Sequence, residues 1–293
     1  YMTLAGSPYN DSNAKSLAKT QLENILNYSV ANGDKYWAPT LDEWRKQWMP
    51  STDYYNKYSI FAIQHRTNEN RNYLIFNFSP GLPPSYTSRR IFGNSIWVEK
   101  TLEYEFERTF SNGKKDGRGV GFTTLEGYEE EPNYPAYTND RENVILEDGM
   151  TVEVYTKTMF YKYLPSKPKL AELGMSFDES SMAGDYDWPV NFPILRLEDM
   201  MLLYAELLAD EGNVAEAMYY VNKIRERAGC DPETASTSAD ALRLIKRERR
   251  VELAGEGIRW FDLVRYGEWQ SAITRMFDNY NNPDGTDKSE LKN

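Results

Sequence analysis

The strongest constraint on the fold is a pair of helical patterns in the last hundred residues. Apolar side chains recur at three- and four-residue spacing from Arg196 to Glu211, which predicts an amphipathic helix. Gly212 and Asn213 interrupt this pattern, and Asn213 is placed to cap a second helix from about Val214 to Ala228. Two helices joined by so short a turn pack antiparallel, so a helix hairpin is predicted here.

A hairpin of this kind, with small residues where its helices cross, is of the tetratricopeptide type. One clear copy is present, and further helices are predicted from about Ser12 to Asn32, from near Ser238, and from about Gly257 to Tyr266. Ser12 is predicted to cap the first of these. The predicted fold class is mainly α, with tetratricopeptide-like helix pairs, long irregular loops and a small β-hairpin.

The other regular structure is predicted to be short. Ser59–Gln64 and Asn72–Phe78 are aromatic-rich apolar runs typical of strands. Asp148-Gly149 lies between two apolar runs and favours a tight turn, which predicts the β-hairpin. A helix is predicted from about Ile96 to Phe110, whereas residues 165–193 are predicted to be irregular.

Composition excludes several classes of function. The net charge of −11 argues against nucleic acid and against anionic lipid, because both need a basic surface. One cysteine, Cys230, and one histidine, His65, allow neither an intrachain disulfide nor a Cys/His zinc site. No apolar run is long enough to span a membrane, and the first residues lack the pattern of a signal peptide.

The segment from Lys246 to Trp269 places charges on the apolar face of a helix. Counting in steps of three or four from Ile245 leads to Arg249, Glu252 and Glu256. One interpretation makes Glu252 and Glu256 catalytic carboxylates. The favoured interpretation is a buried ion network in which Arg249 pairs with Glu252 and Asp262 with Arg265, because buried charges persist when they are paired. Trp260, Phe261 and Val264 are expected to cover this network.

The same region carries a resemblance to a known family. The order LRLEDMMLLYAELLADEG, AEAMYYVNKIRERAG, RERRVELAGEGIRWFDLVRYG resembles the C-terminal half of the SusD/RagB family, and upstream YSIFAIQ and KDGR are similar to further family motifs. The matching positions of the family pattern are Glu248, Arg249, Glu252, Glu256, Gly257, Arg259, Asp262, Leu263, Arg265 and Gly267.

This resemblance implies a role at the cell surface. Family members are outer-membrane lipoproteins that capture glycans, or in some members peptides, without catalysis, beside a SusC-like TonB-dependent transporter. The lipid anchor and an N-terminal helical half of the family are expected to be missing from these 293 residues. The expected division is a helix with a loop-rich ligand-binding part over 1–195, tetratricopeptide-like helices and the C-terminal motif over 196–270, and a tail over 271–293.

Sugar binding needs flat aromatic rings beside polar groups that satisfy hydroxyls. The loop from Ser79 to Trp97 is the first candidate, since loops commonly carry such residues. The predicted ligand-binding residues are Tyr73, Tyr86, Arg89, Arg90, Phe92, Asn94 and Trp97. The acidic loop with Tyr128, Tyr134 and Tyr137 is the second candidate, and Trp188 is the third. Packing roles are expected for Trp44, Trp48 and Trp260.

Two other functions stay open at this point. A peptide-handling or structural lid on the transporter needs no sugar site in this part of the chain. A glycoside hydrolase needs two carboxylates set across a cleft, and no spacing of the acidic residues singles out such a pair. No cofactor and no metal are expected, because YNNPDGTDKSEL departs from a calcium loop at its first and last ligand positions.

Overall fold

The computed structural model describes residues 1–50, 57–70, 72, 81–89, 97–146 and 148–280. In these ranges, helices predominate and the strands form three antiparallel pairs, which confirms the predicted fold class. The helices are α1 (Met2–Ala5), α2 (Ser12–Ala31), α3 (Leu41–Lys46), α4 (Lys100–Glu107), α5 (Lys167–Glu172), α6 (Leu197–Asp210), α7 (Val214–Ala228), α8 (Ser238–Glu252), α9 (Arg259–Tyr266) and α10 (Trp269–Tyr280). The strands are β1 (Ser59–Ile63), β2 (Thr124–Leu125), β3 (Arg141–Ile145), β4 (Thr151–Tyr155), β5 (Met159–Phe160) and β6 (Phe192–Arg196).

The predicted helix hairpin is present as α6 and α7. Gly212 follows the first helix with φ +85°, a conformation that favours glycine. Asn213 occupies the cap position before Val214, but its side chain makes no capping hydrogen bond, so that part of the prediction is wrong. Helix α8 packs against both, and α2 packs along α6. Their shared core contains Leu22, Leu202, Val221 and Ile245, so four helices bury one continuous apolar layer.

Helix α2 begins one residue earlier than the capping prediction implies. The carboxylate of Asp11, not the Ser12 hydroxyl, accepts hydrogen bonds from the backbone N–H groups of Asn13 (2.8 Å) and Ala14 (3.2 Å). The prediction of Ser12 as the cap is therefore wrong. Asp and Ser are both good caps, and the extended backbone of Asp11 decides between them.

Each strand pair is small. The β3–β4 hairpin confirms the turn prediction: Ile145 pairs with Thr151, and Gly149 has φ +81°. Strand β1 confirms the prediction for Ser59–Gln64 and pairs with β6, directly before the helix hairpin. The predicted strand Asn72–Phe78 lies, except for Asn72, outside the described residues.

A second core lies beneath the loops and is largely aromatic. It contains Trp44, Trp48, Phe122, Tyr163 and Trp188, all completely or almost completely buried. The packing roles predicted for Trp44 and Trp48 are confirmed. Trp188 has 0% exposure, so the prediction that it contacts a ligand is wrong: its ring fills the core against Phe177.

Three further boundaries differ from prediction. The helix expected over Ile96–Phe110 is confined to α4, because Trp97 pairs with Met159 as extended backbone. Residues 165–193 include α5, which has a proline in its first turn. The expected start of the tail at residue 271 falls inside α10, and residues 281–293 lie outside the described residues.

Candidate functional site

The predicted ligand-binding residues divide into two groups. Tyr86, Arg89 and Trp97 belong to the described part of the chain. The other four, Tyr73, Arg90, Phe92 and Asn94, lie outside it.

Four half-buried aromatic rings, hereafter the ring row, follow one another at nearly constant spacing. The rings of Trp97 and Tyr137 are stacked, with centroids 6.2 Å apart and planes inclined by 18°. Tyr137 and Tyr128 are 6.0 Å apart, and Tyr128 and Tyr86 are 6.2 Å apart. The ring row therefore unites the first and second candidate loops of the sequence analysis.

Backbone pairing holds the middle of the ring row. Tyr128 and Tyr137 exchange two backbone hydrogen bonds, of 3.1 and 3.0 Å, and Glu131 and Tyr134 exchange two of 2.9 Å. Gly127 permits this close approach, because a Cβ at this position would lie 2.4 Å from the carbonyl oxygen of Tyr137. The loop is thus a tightly paired turn in which neighbouring tyrosines share one side.

The two ends of the ring row are fixed by other elements. Trp97 forms a bridge with Met159, and the N–H of Val98 donates to the carbonyl of Thr158 at 2.8 Å. The ring of Tyr86 lies edge-on to the buried Tyr161, with centroids 6.1 Å apart. The backbone carbonyl of Tyr86 accepts a hydrogen bond from the N–H of Lys167 at 2.8 Å. The sequence did not predict Tyr161, which sits beneath the ring row.

The tyrosine hydroxyls serve as hydrogen-bond donors. The Tyr137 hydroxyl donates to the carbonyl of Lys157, and the Tyr128 hydroxyl to the carbonyl of Gly81 at 3.4 Å. Burial raises the pKa of both phenols, and for Tyr137 the nearby Tyr128 adds to the shift. Both phenols therefore remain protonated, so neither supplies a phenolate nucleophile or base.

Arg89 ties the loop of Tyr86 to the following part of the chain. One nitrogen of its guanidinium donates to the carbonyls of Glu179 and Met182, the latter at 2.8 Å. The Glu179 carboxylate in turn accepts from the Thr87 hydroxyl at 3.2 Å and the Ser88 N–H at 2.6 Å. These contacts position the loop, and a ligand contact by Arg89 stays a prediction.

Carboxylates of the loop that carries Tyr128 lie near Tyr86. Glu129 and Glu130 are exposed, and the Glu131 carboxylate accepts from the N–H of Ser85 at 3.4 Å, next to Tyr86. Burial raises the pKa of Tyr86, and the charges of Glu131, Glu126 and Glu129 raise it further. These carboxylates therefore all disfavour added negative charge at Tyr86.

The C-terminal charges form a buried network, which confirms the favoured interpretation. Glu252 is completely buried and accepts from the guanidiniums of Arg118 (2.9 Å), Arg196 (3.0 Å) and Arg227 (2.8 Å). Burial alone would raise the pKa of Glu252, but these three guanidiniums lower it. Glu256 pairs with Lys162 at 2.6 Å and with Arg196 at 2.8 Å. Both carboxylates are buried and paired with cations, so they stabilise the fold and do not face a substrate.

The pairing inside this network differs in part from prediction. Arg249 binds Asp199 at 2.8 Å and Asp262 at 3.0 Å instead of Glu252. The predicted pair of Asp262 and Arg265 is present at 2.8 Å. Arg118 comes from KDGR, so the upstream motif and the C-terminal motif meet in one cluster.

The aromatic cover predicted for the network is wrong for two rings. Trp260 and Phe261 are 52% and 58% exposed, whereas Asp262 and Arg265 are the buried residues of α9. Trp260 instead borders a cavity of about 470 Å³ between α4, α8, α9 and α10, together with Leu253, Leu263 and Met276. This cavity shares no residue with the ring row.

The described residues hold neither a metal-binding cluster nor a membrane-spanning helix. Among them, no group of three His, Cys, Asp or Glu side chains is placed to hold a metal ion. None of the described helices is both long and apolar enough to cross a membrane.

Comparison with known proteins gives a consistent family assignment. A family model described as the SusD family matches residues 44–292. SusD-like protein P38 of Formosa agariphila is 32% identical over 143 residues, which cover 44% of this chain and 28% of that protein.

Solved structures share the fold at low sequence identity. A SusD homolog from Bacteroides thetaiotaomicron has a TM-score of 0.63 at 16% identity, over 99% of this chain and 55% of that one. A structure described as a laminarin binding SusD-like protein has a TM-score of 0.58 at 21% identity, over 94% of this chain and 56% of that one. The chain thus spans about half the length of these structures, and the likeness shows the fold.

Proposed function

The chain belongs to the SusD family, and from this premise we propose that it captures glycans at the cell surface without catalysis. The ring row is the proposed binding site. The full protein is proposed to act at the outer membrane, held by a lipid anchor, and to pass its ligand to a SusC-like TonB-dependent transporter.

The single observation that carries this proposal is the geometry of the ring row. Four half-buried rings from two loops adjoin one another at centroid distances of 6.0 to 6.2 Å. Aromatic faces of this kind stack on the apolar faces of sugar rings, and nearby polar groups satisfy the hydroxyls. The laminarin-binding relative supports a glycan as the ligand.

Neither of the two carboxylates considered for catalysis is placed to reach a substrate. Glu252 and Glu256 are enclosed by cations, and the phenols of the ring row stay protonated. A glycosidase needs one carboxylic acid and one carboxylate that both reach the scissile bond. The non-catalytic character of the family agrees with this reading.

The experiment is affinity electrophoresis and calorimetry of the 293-residue chain against laminarin, starch and xylan. A Trp97→Ala, Tyr86→Ala double variant is expected to lose at least about tenfold in affinity, or about 1.4 kcal/mol. The matched control is Trp260→Ala, Tyr219→Ala, which removes two exposed rings outside the ring row and is expected to bind as wild type.

Three outcomes separate the alternatives. Glycan binding that persists in the double variant removes the ring row as the site. Binding to peptides and to no polysaccharide favours the peptide-handling or lid function. Release of reducing ends by the pure protein supports a glycoside hydrolase.

A further inference from the structure

We infer that the ring row selects uncharged glycans and discriminates against polyanionic ones, such as polymers of uronic acids or sulfated sugars. This inference rests on the proposed function. It concerns the class of glycan, which neither the ring row alone nor the family assignment specifies.

The first support is where the carboxylates lie. Glu126, Glu129, Glu130 and Glu131 belong to the same paired loop that carries Tyr128 and Tyr137. Glu129 and Glu130 are exposed, and Glu131 reaches the backbone beside Tyr86. A glycan stacked on Tyr86 and Tyr128 therefore lies next to this acidic rim, defined as Glu129, Glu130 and Glu131.

The second support is that two nearby cationic side chains donate hydrogen bonds to backbone carbonyls of the protein. The guanidinium of Arg89 donates to two backbone carbonyls. The ammonium of Lys167 donates to the carbonyl of Pro84 at 2.7 Å. Recognition of a carboxylate or sulfate group uses an arginine fork aimed at the ligand, whereas Arg89 is aimed into the protein.

The third support is the direction of the local field. The carboxylates of Glu131, Glu126 and Glu129 all raise the pKa of Tyr86. All three therefore oppose added negative charge at this ring. Like charges repel one another even in a water-exposed setting, and the repulsion from several carboxylates adds. The chain as a whole carries −11, so long-range repulsion also slows the approach of a polyanion.

Stacking itself does not require ligand charge. A neutral polymer therefore keeps the favourable ring contacts and meets none of the repulsion. We expect the affinity for a neutral glycan to depend weakly on salt. The affinity for its anionic derivative should rise as salt screens the acidic rim.

The test uses polymers with the same sugar backbone, one neutral and one carrying carboxymethyl groups, and varies salt to separate charge from substituent size. Laminarin and hydroxyethylcellulose are compared with carboxymethylated laminarin and carboxymethylcellulose by calorimetry with the 293-residue chain. Wild type is expected to bind each anionic polymer at least about tenfold more weakly than its neutral counterpart. The ratio should shrink at about 1 M salt, where the Debye length falls to about 3 Å.

The variant Glu129→Gln, Glu130→Gln, Glu131→Gln removes the acidic rim and is expected to bring the two affinities within about threefold. The control Glu211→Gln, Glu216→Gln, Glu226→Gln makes the same change in net charge at exposed positions on or beside α6 and α7. It is expected to keep the wild-type ratio.

Different outcomes overturn the selectivity against anionic glycans and the capture of glycans as such. Equal or tighter binding of the carboxymethylated polymers by wild type overturns the selectivity and leaves glycan capture intact. An unchanged ratio in the acidic-rim variant overturns the assignment to these three glutamates. Absence of binding to every neutral polymer, laminarin included, overturns the proposed function and this inference together.

Discussion

The indole nitrogen of Trp44 donates a 2.9 Å hydrogen bond to the carboxylate of Glu252, across 208 positions of sequence. Trp44 lies on α3 beneath the loops, and Glu252 ends α8 in the helical part. The same carboxylate binds Arg118, Arg196 and Arg227. One buried carboxylate therefore joins the aromatic core, the KDGR turn and two helices. These contacts fix the aromatic core, on which the loops of the ring row rest, against the helical part.

The Trp44→Phe variant measures the worth of this bond. It leaves Glu252 with one donor fewer and is expected to cost about 1.5–3 kcal/mol, the range for hydrogen bonds to charged groups. The matched control is Trp48→Phe, since Trp48 is equally buried but its indole nitrogen has no hydrogen-bond partner in the described structure. Urea denaturation gives both values. Equal losses in the two variants mean that the bond to Glu252 adds nothing beyond packing.

Glu252→Gln tests whether the network folds the chain or performs chemistry. The substitution leaves three buried guanidiniums short of a counter-charge, so a loss of about 3–5 kcal/mol is expected. Glu226→Gln, at an exposed position, should change stability by less than about 0.5 kcal/mol. Protein that remains folded at low temperature is expected to bind laminarin as wild type. A stable Glu252→Gln variant with lost binding would return this residue to the functional site.

The raised pKa of Glu103 leads us to expect a specific dependence of stability on pH. Burial, together with the charges of Glu126 and Glu107, raises its pKa from 4.5 to about 9. Between these values the folded state binds one proton more than the unfolded state, so this group's contribution to stability is lost as pH rises through the window. Glu103→Gln removes the titration. The variant is expected to be more stable than wild type by at least about 1 kcal/mol at pH 8, with a smaller difference at pH 5.

The comparison requires urea denaturation of both proteins across that pH range. Glu153→Gln, on the exposed side of β4, supplies the control and should track wild type at every pH. A constant difference between Glu103→Gln and wild type at all pH values would show that Glu103 does not bind a proton in the folded state over this window.

Sequence periodicity predicted the helical half of this fold well. The bounds of α7 were predicted to the residue, and those of α6 to within one residue, because both helices bury one face against a continuous core. Capping was harder: Asp11 and Ser12 are both suitable, and backbone geometry alone selects Asp11. The packing role predicted for Trp260 is wrong, because a large ring is buried only when a neighbouring element covers its face of the helix.

The candidate site was predictable in composition but not in arrangement. Tyr86 and Trp97 were identified in one loop and Tyr128 and Tyr137 in another, as separate alternatives. Their union depends on long-range pairing, such as that of Trp97 with Met159, which leaves no periodic signal in the sequence. The ion network shows the same limit, because Arg249 selects Asp199 and Asp262 over a carboxylate on its own helix.

Gly127→Ala offers the sharpest test of the arrangement of the ring row. The added methyl group would lie 2.4 Å from the carbonyl oxygen of Tyr137, so the paired turn must open and separate the rings of Tyr128 and Tyr137. Laminarin affinity is expected to fall at least about tenfold. Gly184→Ala is the matched control, because a Cβ there meets nothing within 4 Å. Gly127 is not part of the four-helix core, so the helical circular dichroism signal should match wild type. Undiminished laminarin binding by a folded Gly127→Ala variant would mean that the spacing of these two rings is not what the ligand contacts.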